Sequence, residues 1–350
     1  MAVGLGLSIG TVNTVSAVAE EDSAKRPSRR RRDSRAPAMT RRTTLTFDST
    51  GSARLGLIPR HGRAVTEFAD LGRRGATCAR VRNRALTPAD LVALVADCLI
   101  SEIRCERGLS DAGIALTHPA GYSEDQVHAL RTALDGIGHD GVALIAEPVA
   151  AATWLESERG PLGPGLALVY DLGGASLDVT LVRVGAGRPH DPIVGTSLRS
   201  EEYGGRAFGA MAARRAAEGA DPDALRAGHV RASLEVVYRC LRTADVTMAD
   251  VGCVLVVGGA ARPAEVARVL GAELARPVVI AADPERTVAD GAAIMARRRA
   301  AAAEQERRPR EPRLRRRLTR VAAAAGMSAV GVGIAVGVPA DAVITAFGIG

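Results

Sequence analysis

Val169–Val179 reads VYDLGGASLDV, and Leu7–Asn13, near the start of the chain, reads LSIGTVN. The two stretches are built alike. Leu7-Ser8-Ile9-Gly10-Thr11 lines up with Tyr170-Asp171-Leu172-Gly173-Gly174: the end of an apolar strand, a polar residue, an apolar residue, then a glycine turn. A strand ending in such a turn exposes backbone N–H groups, which together form a nest for an anion. One hairpin of this kind carries little weight, because structural glycine turns outnumber phosphate-binding ones. Two in the same arrangement, half a fold apart, describe a pair of nests able to grip a polyphosphate from both sides of a cleft.

The rest of the chain supplies the frame for these turns. Residues 2–8 and 14–19 read as strands around the first, and Leu166–Tyr170 and Leu177–Val184 around the second. Thr87-Pro88 opens a helix over 88–107, with Leu91, Leu94, Val95, Cys98 and Leu99 on one face. Ile114–Thr117 is a short strand, and Ser123-Glu124-Asp125-Gln126 has capping-box spacing ahead of a helix ending near Gly136. Val142–Ile145 is a strand, and Glu147-Pro148 begins a helix with proline at its first position. A helix at about 231–243 leads to the strand Cys253–Val257, the pair Gly258-Gly259 and a helix opened by Pro263. The strand Val278–Ile280 follows, and Asp283-Pro284-Glu285 caps a last helix. Strands alternating with helices make the class α/β.

Composition bounds the function. The chain of 350 residues is long enough for about two domains at ~150 residues each. With 47% hydrophobic and 24% charged residues it is an ordinary globular sequence, but aromatics are only 3%. The core is therefore aliphatic, and stacking platforms for single-stranded nucleic acid are excluded. Five cysteines (Cys78, Cys98, Cys105, Cys240, Cys253) contain no CxxC pair, which argues against a disulfide framework or a zinc site. The formal charge of +7 hides its distribution: residues 25–42 carry +8, residues 297–320 carry +8, and the other 308 residues carry −9. An acidic body with one basic loop and one basic tail is not the footprint of a sequence-specific nucleic-acid binder. Residues 21–42, with Pro27 and Pro37, read as an exposed loop.

Six segments occur in the order seen in one family: ALTHPAGY (Ala115–Tyr122), IAEPVAAA (Ile145–Ala152), VYDLGGASLDV (Val169–Val179), YGGRAF (Tyr203–Phe208), LVVGGAARP (Leu255–Pro263) and DPERTVADGAAI (Asp283–Ile294). Together they resemble the nucleotide-binding domain of the DnaK-type heat-shock protein 70 chaperones, members of the actin-like ATPase superfamily. The resemblance covers roughly residues 3–297. It implies a two-lobed, ribonuclease-H-like α/β fold closing on ATP or ADP, with Mg²⁺ between the lobes. On that pattern residues 1–113 begin the first lobe, 114–165 complete it and 166–299 form the second. A basic linker, 300–320, and a hydrophobic tail, 321–350, follow. Gly10, Thr11, Val12 and Asn13 match the first phosphate loop, and Gly173, Gly174, Ala175 and Ser176 the second, with Gly204 and Gly205 beside it. Asp171 matches the carboxylate that holds Mg²⁺ through water, and Glu147 matches the catalytic glutamate. Gly258, Gly259, Ala260, Ala261 and Arg262 match the adenosine segment, where an arginine plane can stack on adenine. Without the resemblance, Glu147 reads better as a carboxylate placed at a helix start.

The departures point to weakened chemistry. Ser8 stands where the family, and this chain's own repeat at Asp171, has aspartate. The family's first-lobe lysine is absent, since the one lysine, Lys25, lies in the basic loop. Arg60 or Arg63 is a candidate substitute, although Arg and Lys differ at a point-charge site. After Tyr203-Gly204-Gly205 the family continues with acidic residues, where this chain has Arg206 and Gly209. Most of the small subdomain that covers adenine is missing, and no peptide-binding sandwich or lid follows.

The expected activity is thus nucleotide binding with slow ATP hydrolysis. A pseudo-ATPase serving as a membrane-tethered interaction module for an unidentified protein partner is the alternative, and a polyanion-binding protein acting through 25–42 a second. Val321–Ala340 is twenty residues without a charge, ~30 Å long as a helix, and Gly333 and Gly337 form a GxxxG pair. With the arginines of 297–320 set against an anionic membrane surface, it is a candidate tail anchor that leaves the body cytoplasmic. No secretory signal peptide precedes the first strand.

Overall fold

The computed structural model describes residues 2–20, 39–57, 64–109, 111–216 and 218–307. Met1–Ala302 form one compact unit, and Ala303–Gly350 another, of which 303–307 are described. The first lobe contains β1 (Gly4–Ile9), β2 (Asn13–Ala19), β3 (Met39–Arg42), the small hairpins β4 (Leu45–Phe47)/β5 (Ala53–Leu55) and β6 (Ala79–Val81)/β7 (Arg84–Leu86), α1 (Pro88–Arg107), β8 (Gly113–His118), α2 (Glu124–Asp135), β9 (Ala143–Ala146) and α3 (Glu147–Arg159). The second contains β10 (Gly165–Leu172), β11 (Leu177–Val184), β12 (Ile193–Ser200), α4 (Gly205–Ala216), α5 (Pro222–Thr243), β13 (Val251–Val257), α6 (Ala264–Leu274), β14 (Val278–Ile280) and α7 (Thr287–Arg307).

The repeat seen in the glycine turns extends to the whole of each sheet. The first is ordered β3-β2-β1-β8-β9 and the second β12-β11-β10-β13-β14. Each opens with an antiparallel hairpin, β1/β2 or β10/β11, and then adds two parallel strands on the other side of its first strand. Strand for strand the order is the same, as a two-lobed actin-like ATPase fold requires.

Local chemistry explains most boundaries. Thr87 caps α1 and exchanges hydrogen bonds with Asp90, and Ser123 does the same for α2 with Gln126. Each capping box satisfies two amides that a helix start leaves without partners. Among the described residues four apolar cores result. One packs α1 and α2 on the first sheet, one packs α5 and α6 on the second, a third lies between the lobes, and a small fourth joins Val15 and Ala17 of β2 to Ala289 and Ala293 of α7. The third core is rich in alanine, with Ala150, Ala151 and Ala152 of α3 meeting Ala292 and Ala296 of α7. The small side chains let the two helices approach so closely that a Cβ on Gly291 would fall 1.8 Å from the carbonyl oxygen of Ala150.

Several boundaries differ from those expected. Met39–Arg42, assigned above to the basic loop, forms β3 and pairs with β2, and Arg41 is bound to Glu102 at 2.6 Å. Pro148 takes the second position of α3 because Glu147 takes the first. α5 starts nine residues earlier than the sequence reading placed it, because Asp221 accepts from the amides of Asp223 and Ala224 and Pro222 fits the first turn. α7 begins at Thr287, so Asp283-Pro284-Glu285 forms the turn before the helix. β12 and α4 escaped the sequence reading. β12 has no alternating burial and α4 buries none of its residues, so neither carries a periodic apolar signal. Among the described residues, only α4, its connection and α5 occupy 205–243, which agrees with the expected loss of the small subdomain.

Residues 25–38 of the basic loop, Arg60, Arg63 and the tail 321–340 lie outside the described residues. Among the described residues, no helix is long and apolar enough to cross a membrane.

Candidate functional site

The two glycine turns meet at the mouth of a cavity of about 390 Å³. Each turn is closed in the same way: the Gly10 amide donates to the Asn13 carbonyl at 3.0 Å, and the Gly173 amide to the Ser176 carbonyl at 2.9 Å. Among the described residues, the amides of Thr11, Val12, Gly174 and Ala175 donate to no backbone acceptor. The turns touch, since a Cβ on Gly174 would fall 2.4 Å from Cγ2 of Val12. Gly205 and Arg206, at the start of α4, donate to the carbonyls of Gly173 and Gly174 at 2.9 and 2.8 Å. That orients the second turn with its carbonyls inward and its amides free.

Nearly all the residues singled out in the sequence converge here. Gly10–Asn13, Gly173–Ser176, Gly205, Gly258, Gly259, Ala260, Arg262, Glu147 and Asp171 line the cavity, and so does Ser8. Two do not. Ala261 is fully buried in the short turn after β13, and Gly204 sits under the second glycine turn, where a Cβ would fall 2.4 Å from the carbonyl carbon of Ala175. Gly258 has φ +96°, and a Cβ there would also fall 2.5 Å from a carboxylate oxygen of Asp171. This glycine is what allows β13 to end against the cavity floor.

The floor is acidic. Burial, with repulsion from Asp171 and Asp178, holds the Glu147 carboxyl well above the usual range. Burial and Asp178 push Asp171 up to about 7, against the opposing pull of Arg199. Asp178 is also raised by burial, which Arg199 and the Ser176 hydroxyl at 2.9 Å partly offset.

Five participants were not legible as site residues. Arg199 of β12 lies 3.0 Å from Asp70 and 3.6 Å from Asp178. Asp70 belongs to the first lobe, where Tyr122 braces its loop by accepting from the Leu71 amide at 3.0 Å and donating to the Ala69 carbonyl at 3.2 Å. Glu285 accepts from the Asn13 side chain at 2.7 Å and pairs with Arg262, which also reaches Asp283 at 3.1 Å. The guanidinium of Arg262, read above as able to stack on adenine, is held through its N–H groups by these two carboxylates. Arg206, noted above only as a departure, pairs with Glu67, which also holds Arg73. Asp178 lies inside the quoted VYDLGGASLDV stretch, and its alternation with Leu177 and Val179 was the signal available for it.

The cradle of free amides suits a polyphosphate. Direct coordination of a divalent ion does not suit the floor. Among the described residues, no group of three or more His, Cys, Asp or Glu side chains is placed to hold a metal, and a guanidinium already lies among the carboxylates. Mg²⁺ needs near-octahedral oxygen ligands, whereas a guanidinium contributes only donors.

A family model described as "Hsp70 protein" matches residues 70–222 and 218–305. The chain is 25% identical over 252 residues to the chaperone protein HscA homolog of Pseudomonas putida, covering 60% of this chain and 40% of that protein. It is 27% identical over 290 residues to the HscA homolog of Methylibium petroleiphilum, covering 67% and 46%, and 27% identical over 254 residues to the chaperone protein HscA of Pectobacterium atrosepticum, covering 60% and 41%. The chain thus spans less than half the length of these curated relatives. The family match runs through α1 to α7, taking in Glu147, both strands of the second glycine hairpin and the Gly258 turn, and on that ground the chain belongs to the Hsp70 family.

Proposed function

We propose that the cleft binds an adenine nucleotide, ATP or ADP, with its phosphates between the two glycine turns, and that it turns ATP over slowly or not at all. The observation that carries this reading is the pair of turns, closed by equivalent hydrogen bonds, in contact with each other and presenting free amides to one cavity. Gly258 and Gly259, which line the same cavity, are the residues we read as facing the nucleoside. Glu147 is the residue to orient or deprotonate an attacking water, with Asp171 beside it. Burial and the neighbouring Asp171 and Asp178 raise the Glu147 carboxyl, which disfavours the charged form that takes a proton from water and so supports slow turnover. Ser8 supports it as well, since a hydroxyl brings no charge to the position that Asp171 occupies in the second lobe.

A second reading, a pseudo-ATPase acting as an interaction module, is favoured by the ties across the cleft. Asn13–Glu285, Asp70–Arg199 and Glu67–Arg206 each join first-lobe to second-lobe residues. The membrane-tethering part of that reading rests on the sequence of 297–340 alone.

Calorimetric titration of the full chain with ATP and ADP, with phosphate release followed in parallel, tests both readings. Micromolar or weaker binding is expected, with phosphate release that is slow and falls further in Glu147→Gln or that stays at background in both proteins. Losing one charged phosphate contact and one clamp wall costs several kcal/mol, at ~1.5–3 per charged hydrogen bond. Sub-micromolar binding with brisk hydrolysis abolished by Glu147→Ala overturns slow turnover, and failure of every adenine nucleotide to bind overturns the nucleotide site.

A further inference from the structure

Three neighbouring strands bring one row of charges to the cavity floor. Asp171 of β10 stands opposite Asp178 of β11, and Asp178 stands opposite Arg199 of β12. Directly opposed residues of antiparallel strands share a face of the sheet, so the row runs carboxylate, carboxylate, guanidinium. Asp70 of the first lobe closes its end, 3.0 Å from the guanidinium. Glu147 faces the same floor from the start of α3.

Resting on the nucleotide-site reading, we propose that Arg199 is a resident cation in this cleft, taking the place that a divalent ion would otherwise fill. Its planar fork reaches carboxylates of both lobes at once, a bridge that a compact ammonium on a flexible stem makes less well. Of the carboxyls around this floor, those of Asp70 and Asp178 lie within ion-pair distance of a cation. Those are the two that Arg199 touches. A covalently held cation does not exchange, and it presents N–H donors to a phosphate directly. The consequence is a nucleotide site whose affinity does not depend on Mg²⁺, and a floor that does not recruit Mg²⁺ in the absence of nucleotide.

The decisive experiment needs no activity. The full chain, free of nucleotide, is titrated with MgCl₂ and MnCl₂ at matched ionic strength, with Tm and Mn²⁺ binding read out. Wild type is expected to show no divalent-specific shift and no Mn²⁺ binding in the cleft. Arg199→Gln is expected to gain both, with a Tm rise of roughly 3 °C or more at tenfold excess over its ion Kd. Arg199→Gln/Asp70→Asn, which removes one charge of each sign, serves if the single variant does not fold, and is expected to gain the Mn²⁺ site as well. Mn²⁺ binding to wild type that is lost in Asp171→Asn overturns the proposal, and so does a folded Arg199→Gln that gains no ion. ADP affinity is then compared in Mg²⁺ and in EDTA. Equal affinity within about twofold is expected, while binding more than about tenfold tighter with Mg²⁺, a 1.4 kcal/mol difference, overturns the resident-cation role. If ADP binds in neither buffer, the nucleotide reading falls, and the ion titrations alone decide the role of Arg199.

Discussion

The side-chain amide of Asn13 donates to Oε1 of Glu285 across 2.7 Å, tying the first glycine turn to the segment that also holds Arg262. The bond spans 272 residues of sequence and both lobes. Glu285 is therefore shared between the Arg262 guanidinium and the side-chain amide of the first glycine turn.

Glu285→Ala releases both. The cleft is expected to open more often, so that amide hydrogen exchange at Gly10 and Gly258, which donate to the Asn13 and Pro284 carbonyls at 3.0 Å each, quickens by about tenfold, the equivalent of one to two lost hydrogen bonds at ~1 kcal/mol each. Arg262, left with Asp283, becomes able to reach a purine. Exchange rates unchanged in the variant would show that Asp70–Arg199 and Glu67–Arg206 hold the cleft without it.

Contact between the two turns predicts a suppressor pair. Gly174→Ala places a Cβ 2.4 Å from Cγ2 of Val12, so it is expected to force the turns apart and weaken nucleotide binding by about tenfold or more, in line with an overpacking cost of ~1–3 kcal/mol. Val12→Ala removes the opposing methyl groups. The double variant is expected to recover most of the loss, as measured by calorimetry of all four proteins; additive losses would show that the turns do not meet in solution.

Stability should fall as pH rises through the titration of Asp171. Its folded carboxyl, at about 7, lies above the ~3.9 of an unfolded aspartate, so the native state binds the extra proton. The stabilising contribution of that proton is full below the unfolded value and is lost as pH rises through 7. His118 and His229 are held below their ordinary value by burial and act in the opposite direction at lower pH, so the clean window is 6.5 to 8. Across it wild type is expected to lose roughly 1 kcal/mol that Asp171→Asn does not lose, read from urea midpoints. Parallel pH profiles for the two proteins would mean that the carboxyl titrates elsewhere.

Gly291→Ala tests the seam between the lobes. The added methyl falls 1.8 Å from the Ala150 carbonyl oxygen, in a core already filled by alanines. A loss of ~1–3 kcal/mol is expected, with Tm lowered by several degrees. A variant as stable as wild type would show that α3 and α7 separate without cost.

What could be read from the sequence was local. The capping boxes at Thr87 and Ser123 and the turns at Gly10 and Gly173 close within a few residues, so the residue types that make them sit together in the chain. The motif segments led from there to the family, the class of fold and most of the cavity lining. β12 and α4 left no trace because their burial follows no period, and β12 is the strand that carries Arg199. A lone arginine in a half-exposed stretch has no sequence signature of being a cation in a cleft. Only the pairing of β12 with β11 sets it opposite Asp178, and only the closing of the first lobe brings Asp70 within 3.0 Å. The same holds for Glu285, which reads in sequence as a residue near a helix start and in the fold bridges Asn13 and Arg262. Short-range hydrogen bonds are written in neighbouring residues, whereas the charge balance of the site is a sum over side chains that meet only when both sheets and both lobes are in place.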